Sequence, residues 1–232
     1  MGHVYDGIDA ALGSWIEAQP VFFVATAPLA ADGSVNLSPK GGIGTFRVLD
    51  EHTFAYLDII GSGVETVAHL RENGRVCVML CAFQGKPTIV RLHGNGRTVF
   101  SGDPGFDAAL APFGEAGRVR RAYLRGVVVV DVARVSDSCG YAVPRMELVA
   151  ERETLDKVWA ARDDERVATY KAQRNATSLD GLPGLPVDAP VRAPVRPAAP
   201  PGPARGAAAP AGRPGTAGAA RRRSPGPAGP TR

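Results

Sequence analysis

No stretch of 18 apolar residues occurs in this chain of 232, so it offers no membrane-spanning helix. The segment from Met1 to Gln19 lacks a basic start followed by an apolar middle and carries Asp6, Asp9 and Glu17 instead. It therefore reads neither as a signal peptide nor as an anchor, and a cytoplasmic location is expected. Cysteine is scarce. Cys77, Cys81 and Cys139 suit a reducing compartment in which thiols act as small core residues. Cys77 and Cys81 share one face of an expected strand, but no third or fourth ligand stands near them, so no metal site is expected. His3, His52, His69 and His93 are isolated, with no His-x-x-x-His or carboxylate spacing, and read as surface or satisfied core residues. No Ser/His/Asp arrangement, nucleophile elbow or carboxylate pair suggests hydrolytic or acid/base catalysis.

Residues 183–232 lack aromatics altogether and hold a single acid, Asp188, against eight arginines. Their net charge is +7, so residues 1–182 carry −3 of the overall +4. The same segment holds 13 of the 20 prolines and has no apolar periodicity to offset ordering entropy, so it reads as a disordered, solvated tail. Without stacking aromatics or a basic folded domain, nucleic acid is not an expected partner beyond weak contacts of the tail. The remaining 1–182 suffice for one domain with a sizeable core.

Within that domain, apolar residues at Ile8, Leu12, Trp15 and Ile16 predict a helix that Pro20 stops. Strands are predicted at Val21–Ala27 and Val35–Lys40, separated by Ala31-Asp32-Gly33-Ser34, and at Thr45–Leu49 and Thr53–Ile59. After a helix at Val64–Arg71 come strands at Arg75–Phe83, Thr88–Gly94 and Arg97–Phe100, two short helices between Phe106 and Leu124, and a last strand at Gly126–Val135. In that strand Val127 to Val130 run without interruption, which predicts cover on both faces; Ser136 to Pro144 reads as turn. Six or more strands joined mainly by turns argue for a mainly β, antiparallel barrel with a few peripheral helices rather than a doubly wound sheet.

Candidate site residues gather at one glycine-rich turn. Thr53–Ile59 leads into Gly61-Ser62-Gly63 and then a helix, an arrangement whose free N–H groups and dipole can hold a phosphate. The same residues also form a capping box, Ser62 with Glu65, that satisfies those donors internally. Ser38 and Lys40 share one face of their strand, and Arg91 stands among apolar neighbours with a planar fork suited to a phosphate. Asp58 ends its strand, and Thr66 lies in the first turn of the helix.

Asn36-Leu37-Ser38-Pro39-Lys40-Gly41, Tyr56-Leu57-Asp58, Gly61 to Thr66 with His69 to Asn73, and Arg91-Leu92-His93-Gly94 together resemble the pyridoxamine 5'-phosphate oxidase-like family of split-barrel flavoproteins. The likeness runs from about Ile8 to Leu185. It implies a six-stranded antiparallel split barrel, FMN as cofactor and a homodimer with two flavin sites at the subunit interface. It further implies FMN contacts from Ser38, Lys40, Asp58, Ser62, Gly63, Glu65, Thr66 and Arg91. The C-terminal tryptophan, arginine and histidine segment of the oxidases proper has no counterpart here, so the expectation is an FMN-dependent oxidoreductase acting on another small molecule. A flavin-binding or storage module without turnover is the alternative, as is a barrel that holds deazaflavin or haem.

Overall fold

The computed structural model describes residues 2–186; the expected tail lies almost wholly outside them. The chain forms β1 (Val4–Tyr5), α1 (Ala10–Glu17), β2 (Val21–Thr26), β3 (Asn36–Gly41), β4 (Phe46–Asp50), β5 (Thr53–Ile59) and α2 (Glu65–Asn73). It continues through β6 (Arg75–Cys81), β7 (Thr88–Phe100), α3 (Phe106–Leu110), α4 (Gly114–Arg120), β8 (Leu124–Cys139), α5 (Thr154–Ala160) and α6 (Asp164–Arg174). All strands join one sheet in the order β3-β2-β6-β7-β8-β5-β4, with β1 paired to β8. Every pairing is antiparallel, and the sheet curls into the expected half-barrel. The described residues form eight strands: the seven that the sequence outlines once 88–94 and 97–100 are joined, and β1, whose two residues are too short to show a pattern; the resemblance implied six. The segments 88–94 and 97–100 are one strand, and β8 extends through Ser136 to Cys139, where a turn was expected.

Two apolar layers hold the sheet. Inside the curl, Phe22, Phe46, Phe54 and Tyr56 pack edge-on or tilted, with centroids 4.9 to 6.4 Å apart, against Val24, Val78, Leu80, Val90, Leu92, Val128 and Val130. On the other side of β5 and β8, Leu57, Val127 and Val129 meet Phe106, Leu110 and Phe113 from the α3–α4 region. The valine run is thus covered on both faces, as its lack of alternation implies.

The helices α5 and α6 were not evident from apolar spacing, since few of their residues are buried. They dock through Trp159, Val167 and Tyr170 onto Ile60 and Tyr123. A capping signal did exist: the Asp163 side chain accepts from the Arg166 backbone N–H, acids open α6, and Lys171 and Arg174 close it. Packing continues past the expected boundary at 182, because Leu185 buries against Val64 and Val67. No helix among the described residues is long and apolar enough to cross a membrane.

The β7–β8 ladder shifts register at His93/Gly94. A Cβ on Gly94 would lie 2.0 Å from the Asp131 carbonyl oxygen, which backbone cannot vacate, whereas a Cβ on Gly102 meets nothing within 4 Å. Gly94→Ala is therefore expected to destabilise the protein by about 1–3 kcal/mol or more and Gly102→Ala by less than about 0.5 kcal/mol. Urea unfolding midpoints check the difference.

Candidate functional site

Strand register decides which polar side chains enter the half-barrel. Asn36, Ser38 and Lys40 stand opposite Thr26, Val24 and Phe22, so they share the inward face with the aromatic core. Phe54, Tyr56 and Asp58 alternate inward along β5, with Asp58 opposite Gly126 at the strand's end. The end of the barrel beside α2 is thereby lined with groups that hydrogen-bond or carry charge. Ser38, Lys40, Ser62, Gly63, Glu65 and Thr66 all border one cavity of about 410 Å³, together with Asn36, Thr45 and Arg125.

Arg91 does not join them. It pairs with Met79 and Ser136 across the ladders, one step out of phase with the buried Val90 and Leu92, so strand alternation turns it to the outer face. There it donates to the Ser138 hydroxyl at 3.0 Å. The guanidinium that borders this cavity is that of Arg125, which is only 5 % exposed. The signal used for Arg91, a charge inside an apolar strand, applies equally to Leu124-Arg125-Gly126-Val127, but the predicted strand began one residue too late to include it.

Asp58 has no exposure and anchors the cations from behind the cavity wall. Arg125 Nη2 donates to its Oδ1 at 2.9 Å. Nε stands 2.8 Å from Oδ2 as an ion contact, with its N–H not aligned on the oxygen. Lys40 Nζ approaches Oδ1 at 3.4 Å and lies 5.3 Å from the centre of the Tyr56 ring. Arg125 also donates through Nη1 to the Gly63 carbonyl, tying the charge to the glycine turn. Burial alone would push the Asp58 carboxyl up, but Arg125 and Lys40 together hold it below the ordinary carboxylate range. Lys171 reaches in from α6 to donate to the Leu124 carbonyl at 2.6 Å. Its ammonium is pulled below its usual value by burial and by Arg125, against the pull of Asp58. Lys40, Arg125 and Lys171 thus stand against the buried Asp58 and the cavity-lining Glu65, three cations to two carboxylates, an imbalance that favours a further anion.

The helix end strengthens this. The capping box is not formed: α2 starts at Glu65, its N-cap is Val64 at φ −130° and ψ 10°, and no side chain caps it. The first N–H groups of α2 are left for another acceptor. Ser62 is exposed at the cavity rim.

Asp58→Asn leaves the Arg125 guanidinium buried without its counter-charge, and is expected to cost about 3–5 kcal/mol at neutral pH. Because the folded carboxyl titrates below its unfolded value, its contribution is fully present above about pH 4 and is lost as pH falls through the lower folded value. The gap between wild type and variant, read by urea unfolding across pH 7 to 2, should close only in that acid range.

The chain is similar to several known proteins. The family model described as pyridoxamine 5'-phosphate oxidase matches residues 8–139. The pyridoxamine 5'-phosphate oxidase family protein ustO of Aspergillus flavus is 36% identical over 195 residues, covering 78% of this chain and 77% of its own. Among solved structures, an FAD binding protein from Mycobacterium smegmatis has 17% identity and a TM-score of 0.39, covering 58% of this chain and 95% of its own. The heme storage protein HutZ of Vibrio cholerae has 14% identity and a TM-score of 0.40, covering 54% of this chain and 89% of its own. With the match spanning β2 to β8, the half-barrel and its cationic end included, this chain belongs to the pyridoxamine 5'-phosphate oxidase family.

Proposed function

We propose that this chain binds FMN and acts as a flavin-dependent oxidoreductase on a small molecule. The observation that carries the reading is the meeting of the uncapped N-terminus of α2 with Lys40 and Arg125 at one cavity. Such a site suits a phosphate monoester: the helix end contributes about 0.3–1 kcal/mol, and each charge-assisted hydrogen bond about 1.5–3 kcal/mol. The cavity's 410 Å³ lies within the usual range of about 300–1,000 Å³ for cofactor pockets, and Leu57, Ile59 and Ile60 line it beside the polar groups.

The flavin, when bound, supplies hydride and electron transfer, so the protein need only hold, orient and shield it. Lys40 and Arg125 would hold the phosphate, with Thr66 and Ser62 as hydroxyl partners, while the apolar residues exclude water. Nothing in the lining is a histidine, cysteine, methionine or tyrosine, so among the described residues this cavity presents no side chain suited to haem iron. That donor set favours flavin or deazaflavin over haem. The lining holds no general acid or base other than Glu65 and Lys40, which also suits a flavin-holding module without turnover. Reduction of the bound flavin by a nicotinamide cofactor and its reoxidation by an added acceptor would separate the two.

Arg91 finds a place in the same reading if the protein is a homodimer, as the family resemblance implies. It shares the outer face of the sheet with Met79 of β6 and Phe23 of β2, which lead in register to the edge strand β3, and a second copy on that face would bring Arg91 to the partner's cofactor. Arg91→Glu should then lower both the dimer fraction and flavin affinity, measured by sedimentation velocity and FMN titration. A change in neither removes the second copy from the site.

The direct test is titration of the flavin-free protein with FMN and with riboflavin, which lacks the phosphate. FMN should bind at least about tenfold more tightly, and Lys40→Ala should weaken FMN by about tenfold or more while leaving riboflavin nearly unchanged. Equal affinities for the two flavins, or an equal loss for both in Lys40→Ala, would remove the phosphate from this position.

A further inference from the structure

His69 lies in the middle of α2 with no exposure, outside the cavity yet wired to its wall. Its Nδ1 is 2.9 Å from the Thr26 hydroxyl. Asn36 donates through Nδ2 to Thr26 Oγ1 at 3.1 Å and to Thr66 Oγ1 at 3.0 Å. The Ser38 hydroxyl donates to Asn36 Oδ1 at 2.9 Å. Asn36, Ser38 and Thr66 border the cavity, whereas Thr26 and His69 stand behind it.

Counting hydrogens orients the whole chain. A hydroxyl has one proton to give, a carboxamide gives only from nitrogen and accepts only at oxygen, and a neutral imidazole gives from one nitrogen and accepts at the other. Thr26 is 4% exposed and already accepts from Asn36, so its own proton has the His69 Nδ1 as its recorded acceptor. If Thr26 gives it there, Nδ1 is bare; a proton on Nδ1 would instead have Thr26 accept through its second lone pair and leave its own proton without a partner among the described residues. The proton of Ser38 is committed to Asn36, so Ser38 can offer the cavity only lone pairs. Thr66 accepts from Asn36, so its proton remains free for the cavity.

We infer that His69 is a positioning residue which, with its proton on Nε2, orients the Thr26–Asn36 chain so that the cavity wall presents a donor at Thr66 and an acceptor at Ser38. The ligand it selects carries an acceptor, such as a phosphate oxygen, at the start of α2 and an N–H or O–H group opposite Ser38. This assignment of ligand groups rests on the flavin phosphate reading; the tautomer does not. A proton on Nδ1 would leave the Thr26 hydroxyl without its acceptor and free the Asn36 amide to reverse, which exchanges the donor and acceptor on the wall.

Nε2 is buried with no partner, a cost that the fold carries at this position. Burial lowers the His69 pKa, while Asp180, Glu65 and Glu72 act to raise it. Asp180 is itself held by the backbone N–H and hydroxyl of Ser34, and Glu72 accepts from the Leu29 N–H.

Long-range nitrogen–proton NMR on histidine-labelled wild-type protein reads the tautomer directly, with or without flavin. The expected result is a neutral ring protonated at Nε2 throughout pH 6 to 8; a proton on Nδ1, or a doubly protonated ring, overturns the inference. A double-mutant cycle then tests the wiring through FMN affinity. His69→Leu and Thr66→Val should each weaken FMN by up to roughly tenfold, their combination should cost little more than either alone, and His69→Asn, which can offer an oxygen to Thr26, should recover most of the loss. Additive losses would show that His69 does not act through Thr66 and would overturn it. If FMN does not bind at all, the flavin reading fails, and the tautomer measurement still decides the chain's polarity.

Discussion

A carboxylate with no solvent exposure persists at the end of the half-barrel because Arg125 meets both its oxygens and Lys40 approaches one of them. An unpaired ion there would be strongly destabilising, and the carboxylate is tolerated because Arg125 and Lys40 set opposite charge against it, although Asp58 Oδ2 and Arg125 Nε make no hydrogen bond. Asp58 closes β5 and Arg125 opens β8, so the contact joins two neighbouring strands just where their ladder shifts between Asp58 and Ile59. The guanidinium then extends to the Gly63 carbonyl and draws the glycine turn, and with it the start of α2, towards the same point.

This one contact therefore sets both architecture and chemistry. The cations are oriented before any ligand arrives, which reduces the ordering cost that binding would otherwise carry. Since Lys40, Arg125 and Lys171 outnumber Asp58 and Glu65, the region retains positive charge beside an uncapped helix end. The Ser38–Asn36–Thr66 hydrogen bonds add direction to that charge. The C-terminal helices share in the arrangement: Lys171 comes from α6, and Asn175 at its end donates to the Gly61 carbonyl at 2.9 Å.

Much of the fold was legible in residue order. Alternation in Val21–Thr26, the unbroken Val127–Val130 run and the glycine turn before α2 each reflect local rules, so strands, covered faces and the crossover helix could be placed. The helices α5 and α6 escaped because they bury only Trp159 and Val167, too few residues to mark a period. Six of the eight residues named for the site line the cavity, and Asp58 lies directly behind it: alternation assigns Ser38, Lys40 and Asp58 to inward strand faces, and the glycine turn places Ser62 to Thr66 at the start of α2. Arg91 and Arg125 were indistinguishable by composition, each a charge among apolar neighbours.

The amino-acid sequence by itself determined the antiparallel, mainly β character and the cluster of polar groups around Gly61 to Thr66, which follow from periodicity and spacing along the chain, and the family, which its motifs resemble. Only the tertiary structure decided that Arg125 rather than Arg91 faces Lys40, that Ser62 leaves α2 uncapped, and that His69 connects to the cavity wall. The first depends on register between strands distant in sequence, where a shift of one residue turns a side chain to the opposite face of the sheet; the second depends on the loop conformation at Val64 and the third on how α2 packs against β2, and no local pattern records either.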